Sequence, residues 1–194
     1  MLLTQFQTMG RDLVNRGLVA SQSGNLSVRM GDKILITRKH VVINNLGERD
    51  LVETGIERNE RGTPLASNEL CIHRSIYRNT SALAVVHAHP PYTVAISLLE
   101  DEIIPQDKEG KTALGRVPII NPRDAGENIL DLENEISRAL SASPIIIVKG
   151  HGTYSTGQLL EDAFHQTTVL EESCHILCIL KSLGIPLQDI QKVV

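Results

Sequence analysis

Two short apolar runs that each lead into histidine constrain this chain more than any other feature. Residues 83–89 end in His-Ala-His before two prolines, and Ile145–Val148 leads through Lys-Gly to His151. Short apolar runs bounded by turn residues predict buried strands. Because residues two apart in a strand face the same side, His87 and His89 are expected to direct two imidazoles at one point.

The third histidine completes a pattern typical of an open metal site. His151 lies between two glycines, which permit a close approach of the main chain that a larger residue would block. Three imidazoles leave coordination positions free for water or substrate, as in catalytic zinc sites, and they also suit cobalt, iron or manganese. The alternative is that His87 and His89 are only polar residues at a strand end. We predict a metal-dependent enzyme with zinc as the favoured ion.

Composition limits the other classes of function. The chain has 194 residues, 41% hydrophobic and 22% charged, which fits one α/β domain over residues 1–194. A net charge of −4 and the absence of any long apolar run predict no nucleic-acid and no membrane partner. The three cysteines lack disulfide-framework spacing, and no signal-peptide pattern is present, so a cytoplasmic location is expected.

Helical and strand patterns alternate along the chain. Turns of hairpin length between several strands favour a mixed or mainly antiparallel sheet over a doubly wound one. Ser67 is expected to be the N-cap of a helix. The predicted helices cover residues 2–14, the segment after Ser67, a segment from about Pro91, residues 129–140 and residues 159–183, the last closed by Gly184 and Pro186. The predicted strands are Asn25–Met30, Lys33–Thr37, 51–56, 83–89, 103–104, Val117–Ile120, Ile145–Val148 and 151–155.

Two polar segments could serve the metal site. Glu69 lies in the first turn of the predicted helix, where an acidic residue either complements the helix dipole or moves a proton on a metal-bound substrate. The turn that contains Gly24 and Asn25 exposes N–H groups able to hold phosphate, and Ser67 offers further donors. Each of these two sequence signals is weak on its own, because most turns of this composition bind no ligand.

A second metal site at Cys174, His175 and Cys178 is also conceivable, because all three lie within about one helical turn. The two cysteines share a helix face, so core packing is the favoured interpretation. His40, His73 and His165 are scattered along the chain, and we interpret them, like His175, as surface or core residues.

The order of the segments SGNLSVR, IT, SNE, HAHP and KGHG resembles the class II aldolase/adducin family, most of all its L-fuculose-1-phosphate aldolase branch. The resemblance covers about residues 13–180. It implies a single three-layer α/β/α domain with a central, mainly antiparallel sheet. It also implies a fourfold homotetramer whose active sites lie at subunit interfaces.

The resemblance assigns roles to the residues singled out above. It implies one zinc ion per subunit, a general acid/base and a cradle for the phosphate of a sugar substrate. The ligands are His87, His89 and His151; the acid/base is Glu69; and the cradle is Gly24, Asn25, Ser67 and Asn68, the last in place of a usual serine. The implied reaction cleaves a ketose 1-phosphate to dihydroxyacetone phosphate and an aldehyde, with the metal withdrawing charge from the carbonyl.

Three departures from the family pattern concern the substrate. The family's usual phosphate loop, T-P-[ST]-G, reads Thr37-Arg38-Lys39-His40 here, so the proline and glycine are replaced and two cations are added. These cations either compensate the charge of a phosphate or are simply solvated. The segment 105–112, where a proton-donating tyrosine would fall, offers only Asp107, Lys108 and Glu109, and no replacement donor can be assigned. The tyrosine of a C-terminal tail is also missing.

Other activities of the family remain as alternatives. Methylthioribulose-phosphate dehydratases retain the glutamate, and sugar-acid-phosphate decarboxylases are a further possibility. The epimerases have aspartate where Glu69 stands, which argues against them. A non-catalytic, adducin-like scaffold domain would be expected to lose the ligands or the acid. All four residues are present, so the scaffold is disfavoured.

Overall fold

One eight-stranded sheet organises the protein. The computed structural model describes residues 2–124 and 129–184. The strands are β1 (Asn25–Met30), β2 (Lys33–Thr37), β3 (Leu51–Gly55), β4 (Ala84–Ala88), β5 (Glu102–Ile103), β6 (Val117–Ile120), β7 (Ile145–Val148) and β8 (Gly152–Gly157). Their order is β3-β2-β1-β4-β8-β7-β6-β5, and every neighbouring pair is antiparallel except β6 and β7. The mainly antiparallel sheet is therefore confirmed.

Six helices in the described residues cover the sheet. They are α1 (Leu2–Asn15), α2 (Leu70–Asn79), α3 (Pro91–Ser97), α4 (Lys108–Ala113), α5 (Ile129–Leu140) and α6 (Leu160–Ser182). Helices α2 and α5 pack on one face, and α1, α3, α4 and α6 pack on the other. This arrangement is the predicted three-layer α/β/α architecture.

The alternation of side chains in the central strands explains why both faces need a helical layer. All four residues of β7 are buried. Ile146 belongs to the apolar cluster under α2 and α5, whereas Ile147 packs with α3 and α6 on the opposite face. In β4, Val85 and Val86 divide between the two faces in the same way. A strand with apolar side chains on both faces buries all of them only when a layer of helices covers each face of the sheet.

Two local expectations were wrong, and one helix was missed. Ser67 is not the N-cap of α2, because the helix begins at Leu70 and Glu69 occupies the cap position. Strand β8 begins at Gly152, so His151 lies in the preceding turn. Helix α4 was not predicted, since its six residues include Gly110 and lack an apolar repeat. The proposed stop at Pro186 lies outside the described residues.

In the described part of the chain, no helix combines the length and apolar character needed to cross a bilayer.

A buried carboxylate connects α6 to the segment that follows the histidine pair. Glu171 of α6 accepts the Tyr92 N–H at 2.9 Å and both the N–H and the hydroxyl of Thr93 at 2.8 Å. These groups lie in the first turn of α3, where the N–H groups have no partner within the helix. Glu171 therefore holds the start of α3, and with it the chain just after His89.

We predict that Glu171→Gln destabilises the fold. The amide replaces one acceptor oxygen by a donor that faces backbone N–H groups, so the free energy of unfolding should fall by about 2 kcal/mol. Urea denaturation measures the change, and Glu172→Gln is the matched control because its side chain is exposed. Equal stability of the two variants would show that Glu171 does not hold α3.

Candidate active site

Strand β4 and its end position the first two histidines. His87 is the fourth residue of β4 and is buried, whereas His89 lies just beyond the strand and is partly exposed. The His87 Nδ1 is 2.9 Å from the Thr153 carbonyl oxygen, to which it can only donate. This bond leaves the His87 Nε2 as an acceptor, 2.8 Å from the Nε2 of His89.

The third histidine comes from the turn between β7 and β8. His151 is half-exposed, and its ring centroid lies 5.0 Å from that of each of the other two histidines. Gly152 permits this approach, since a Cβ there would stand 2.3 Å from the Ala88 carbonyl oxygen and 2.6 Å from the His89 ring. The predicted convergence of the three histidines is therefore present.

The donor set fits a divalent metal. One ligand atom from each of the three histidines lies within 4.8 Å of the others. In a tetrahedral zinc site with Zn–N near 2.0–2.1 Å, two nitrogens stand roughly 3.3 Å apart. Burial lowers the pKa of His87 to about 3 and also lowers the pKa of His89, so both imidazoles are neutral and carry a free lone pair at neutral pH. Neutral imidazoles are the form that binds metal.

A carboxylate faces the histidine cluster. Glu69, at the start of α2, places Oε2 3.2 Å from the His87 Nε2 and Oε1 3.4 Å from the His151 Nε2. The Asn25 amide donates to the same carboxylate at 2.8 Å, and the Ser67 hydroxyl accepts the Glu69 N–H at 3.3 Å. The side chain and the main chain of Glu69 are thus both held by β1 and by the turn before α2.

These contacts determine the charge of Glu69. Burial alone raises the pKa of the carboxyl, but the hydrogen bonds from His151 and Asn25 outweigh burial and hold the pKa of Glu69 well below its usual range. The carboxylate is therefore ionised, with its oxygens beside the nitrogen cluster. The position of the carboxylate, beside the nitrogen cluster, allows it to accept a proton from a group bound there.

Two residues that the sequence did not indicate also support the cluster. Tyr154 of β8 stacks on His87 with ring centroids 4.3 Å apart, and the carbonyl of Thr153 orients the same imidazole. Both act through the pairing of β8 with β4, where His87 lies opposite Tyr154. Strand register is not visible in a single sequence, so no local pattern could have identified them.

A cavity of about 150 Å³ adjoins the cluster. It brings together the four predicted phosphate residues, Glu69, two of the histidines and the altered loop. Its lining includes Gly24, Asn25, Ser67, Asn68, Glu69, His87, His89, Arg38, Lys39 and His40. Gly24 has a φ of +74°, and a Cβ there would stand 2.7 Å from the His87 carbonyl oxygen, so this wall requires glycine.

Other candidate residues lie elsewhere. Asp107 caps α4 by accepting the Gly110 N–H, in the layer opposite α2. Cys174 is buried in the core, and His175 stacks on Tyr92. The two residues therefore do not form a metal site with Cys178. Within residues 2–124 and 129–184, the three histidines are the one group with metal-ligand spacing.

The remaining histidines differ in position. His73 is a core residue, as expected, whereas His40 lines the cavity beside the cluster.

Comparison with known proteins gives the family. The model of the Class II Aldolase and Adducin N-terminal domain matches residues 4–178. The chain belongs to the class II aldolase and adducin family. A curated L-fuculose phosphate aldolase of Methanocaldococcus jannaschii is 32% identical over 174 residues, covering 89% of this chain and 93% of the relative. The crystal structure of an L-fuculose-1-phosphate aldolase from Thermus thermophilus superposes with a TM-score of 0.87 at 33% identity, covering 94% and 95% of the two chains.

A third relative has a different activity in its name. A probable bifunctional methylthioribose-1-phosphate isomerase/methylthioribulose-1-phosphate dehydratase of Nocardia farcinica is 29% identical over 187 residues. The match covers 86% of this chain but only 33% of that longer protein. Aldolases and dehydratases are both lyases, so the expectation of a lyase is confirmed for this class II aldolase family member.

The cluster generates a prediction about metal content. His151→Ala should lower zinc affinity by about 100-fold or more, because it removes one of three nitrogens. The side chain is 47% exposed, so its loss costs little packing. Zinc per chain after dialysis, measured by atomic emission, checks the result, and His165→Ala on the exposed side of α6 is the control. Stoichiometric zinc in His151→Ala would remove His151 from the ligand set.

Proposed function

We propose that the protein is a zinc-dependent class II aldolase that reversibly cleaves a ketose 1-phosphate to dihydroxyacetone phosphate and an aldehyde. L-Fuculose 1-phosphate or a similar deoxyketose 1-phosphate is the proposed substrate. The observation that carries the proposal is the Glu69 carboxylate, which lies 3.2 Å from His87 and 3.4 Å from His151 at the edge of a polar cavity. A metal centre, a proton-transfer group and an anion-sized space are then adjacent.

The proposed zinc ligands are His87, His89 and His151. When bound, the ion supplies a Lewis acid that polarises the substrate carbonyl. As the C3–C4 bond breaks, the C4 hydroxyl would lose its proton to solvent to give the aldehyde, and C3 would take up a proton from Glu69, itself protonated from solvent, to give dihydroxyacetone phosphate. In the synthetic direction the ionised carboxylate would remove that proton. Its hydrogen bond from Asn25 keeps the carboxylate oriented during both steps.

The cavity residues would hold the phosphate of the substrate. Ser67 accepts the Glu69 N–H, which leaves its own hydroxyl proton free to donate to an anion. Asn68 is exposed beside it, and Gly24 brings the main chain of the β1 turn to the opposite wall. The Asn25 amide bonds Glu69, so we propose that Asn25 meets the phosphate through its main chain.

We also propose a homotetramer with its active sites at subunit interfaces. Leu98 and Leu99, at the end of α3, are 61% and 70% exposed. Leu98 approaches Gly150 in the turn that carries the half-exposed His151. A neighbouring subunit would cover these apolar side chains and complete the open side of the site. Residues 1–194 would then form one cytoplasmic domain per subunit.

The substrate assay separates the proposed aldolase from its alternatives. Zinc-loaded protein should release dihydroxyacetone phosphate from L-fuculose 1-phosphate or 5-deoxyribulose 1-phosphate, measured by a coupled reduction. Methylthioribulose 1-phosphate tests the dehydratase that the Nocardia farcinica relative suggests. Loss of water without carbon–carbon cleavage would move the assignment to a dehydratase. Release of carbon dioxide from a sugar-acid phosphate would move it to a decarboxylase. No turnover and no zinc affinity would favour an adducin-like scaffold.

Glu69→Gln tests the proton-transfer role. The variant should keep its zinc, because the three histidines hold the ion. Its kcat should fall by about 100- to 10,000-fold, since the amide cannot exchange a proton. Steady-state kinetics and zinc content are measured together, with the exposed Glu172→Gln as the control. Unchanged turnover in Glu69→Gln would exclude Glu69 as the acid/base.

A further inference from the structure

Alternate residues of β1 form a polar contact with α2. Leu26 and Val28 belong to the apolar cluster under α1 and α6, on the opposite face of the sheet. Every second residue of a strand points to the same face, so the residues between them face α2. These residues bond to a row of polar residues along α2. We call the whole set the polar seam, and its members are Asn25, Ser27, Arg29, Glu69, His73 and Tyr77.

Ser27 is the centre of the polar seam. Its hydroxyl lies 2.6 Å from the Nδ1 of His73 and 2.7 Å from the hydroxyl of Tyr77. The Arg29 guanidinium donates to the Tyr77 carbonyl at 2.8 Å, and that carbonyl is one of the last four of α2, which have no partner within the helix. One strand side chain thus bonds two helix side chains, and the next bonds the end of the helix.

The two elements match in spacing along the seam. Two residues of a strand advance by about 6.7 Å, and four residues of a helix advance by about 6.0 Å. Glu69, His73 and Tyr77 are four apart, whereas Asn25 and Ser27 are two apart. The Asn25 bond to Glu69 and the Ser27 bonds are therefore successive steps of one register. A sliding movement of α2 along β1 would break all of them together.

His73 connects the seam to the site on two sides. Its N–H donates to the Glu69 carbonyl at 3.2 Å, so the first turn of α2 carries Glu69 with it. Its ring meets the edge of the Tyr154 ring with centroids 6.4 Å apart, and Tyr154 in turn stacks on His87. The position of His73 therefore bears on the carboxylate and on one imidazole of the cluster.

Stability alone does not account for the polar side chains of the seam. Ser27 and His73 are fully buried and Tyr77 is 1% exposed, in a layer that is otherwise apolar. Within the described part of the chain, His73 Nε2 has no hydrogen-bond partner, which costs free energy. Apolar side chains of similar size would fill the same space without that cost. Hydrogen bonds differ from apolar contacts in fixing one relative position, because they depend on direction.

We infer that Ser27, His73 and Tyr77 are positioning residues, which set the Glu69 carboxylate in place for proton transfer. This inference rests on the proposed function and extends it to residues that do not line the cavity. Proton transfer requires the donor and acceptor atoms within hydrogen-bond reach, and a displacement of about 1 Å can cost about 100-fold in rate. The seam holds the start of α2 against β1 to that tolerance.

The test replaces the central bonds of the seam by apolar side chains. The variant Ser27→Ala/His73→Leu/Tyr77→Phe removes all partners together, so no buried donor is left unpaired and the urea midpoint should not fall. Zinc content should stay at the wild-type value, because the three histidines are unchanged. The kcat should fall roughly 10- to 100-fold. Tyr77→Phe alone keeps the ring and the Ser27–His73 bond, and its kcat should fall roughly two- to fivefold; it decides the matter if the triple variant does not fold.

A second measurement needs neither zinc nor substrate. The Asn25 side-chain amide is buried and donates to Glu69, so its protons should exchange slowly with solvent in the metal-free protein. NMR should show this exchange to be roughly tenfold faster in the triple variant, because the start of α2 is no longer held against β1. The exchange rate reports the position of Glu69 independently of turnover.

Ser75→Ala is the matched control. Ser75 is also buried on α2, but its hydroxyl bonds the Glu133 carbonyl and the Ser137 hydroxyl of α5 instead of β1. The control should lower the urea midpoint and leave kcat and the Asn25 exchange rate unchanged. Losses of kcat that follow stability equally in Ser75→Ala and in the seam variants would overturn the inference.

The two readouts separate the inference from the proposed function. Wild-type kcat and wild-type Asn25 exchange in the triple variant would overturn the positioning role while the aldolase stands. If the wild-type protein releases no dihydroxyacetone phosphate, the aldolase is rejected, and the exchange rate of Asn25 still decides whether the seam positions Glu69. Faster exchange together with a lower kcat at unchanged zinc content and unchanged stability would support both.

Discussion

The pairing of β4 between β1 and β8 is the constraint on which the site depends. His87 lies opposite Asn25 on one side and opposite Tyr154 on the other. Asn25 donates to Glu69, Tyr154 stacks on His87, and Thr153 next to it accepts the His87 N–H. A slip of one residue in either pairing would turn His87 to the other face of the sheet. The apolar core under β4 prevents that slip, so packing of Val85 and Val86 on opposite faces also positions the histidine cluster.

Two buried polar groups near the histidine cluster lack a complete set of hydrogen bonds. Asn25 Oδ1 and His73 Nε2 are buried with no hydrogen-bond partner in the described part of the chain. His73 lies one turn after Glu69 on α2, where its Nδ1 meets the Ser27 hydroxyl at 2.6 Å. Burial lowers the pKa of His73 to about 4, so this imidazole is neutral. Polar groups that are incompletely satisfied cost stability. Two of the six such side-chain atoms in the described residues lie near the histidine cluster, and the other four belong to Gln106, Asp107, Gln166 and Ser173 in the opposite layer.

Local patterns predicted most of the strands and helices, because apolar alternation and turn residues are local properties. The clustering of the three histidines could be predicted for the same reason, since the spacing in His-Ala-His and the glycines around His151 are visible along the chain. The start of α2 was misplaced because Ser67 resembles a cap, whereas its hydroxyl accepts the Glu69 N–H before the first helical residue. The roles of Tyr154 and of the Asn25 amide depend on pairings between distant strands, which a single sequence does not reveal.

Residues 38–40 and the groups around Glu69 are held in the fold by different kinds of contact. Each group around Glu69 contacts others through its side chain, so replacing His87 or Asn25 would leave a buried polar partner unsatisfied. Residues 38–40 are held instead through the N–H groups of Arg38 and Lys39, and such main-chain bonds do not depend on the side chain. Substitution there alters the charge of the cavity at little structural cost. The charge at residues 38–40 can therefore change without disturbing the contacts that join Glu69, Asn25 and the histidines.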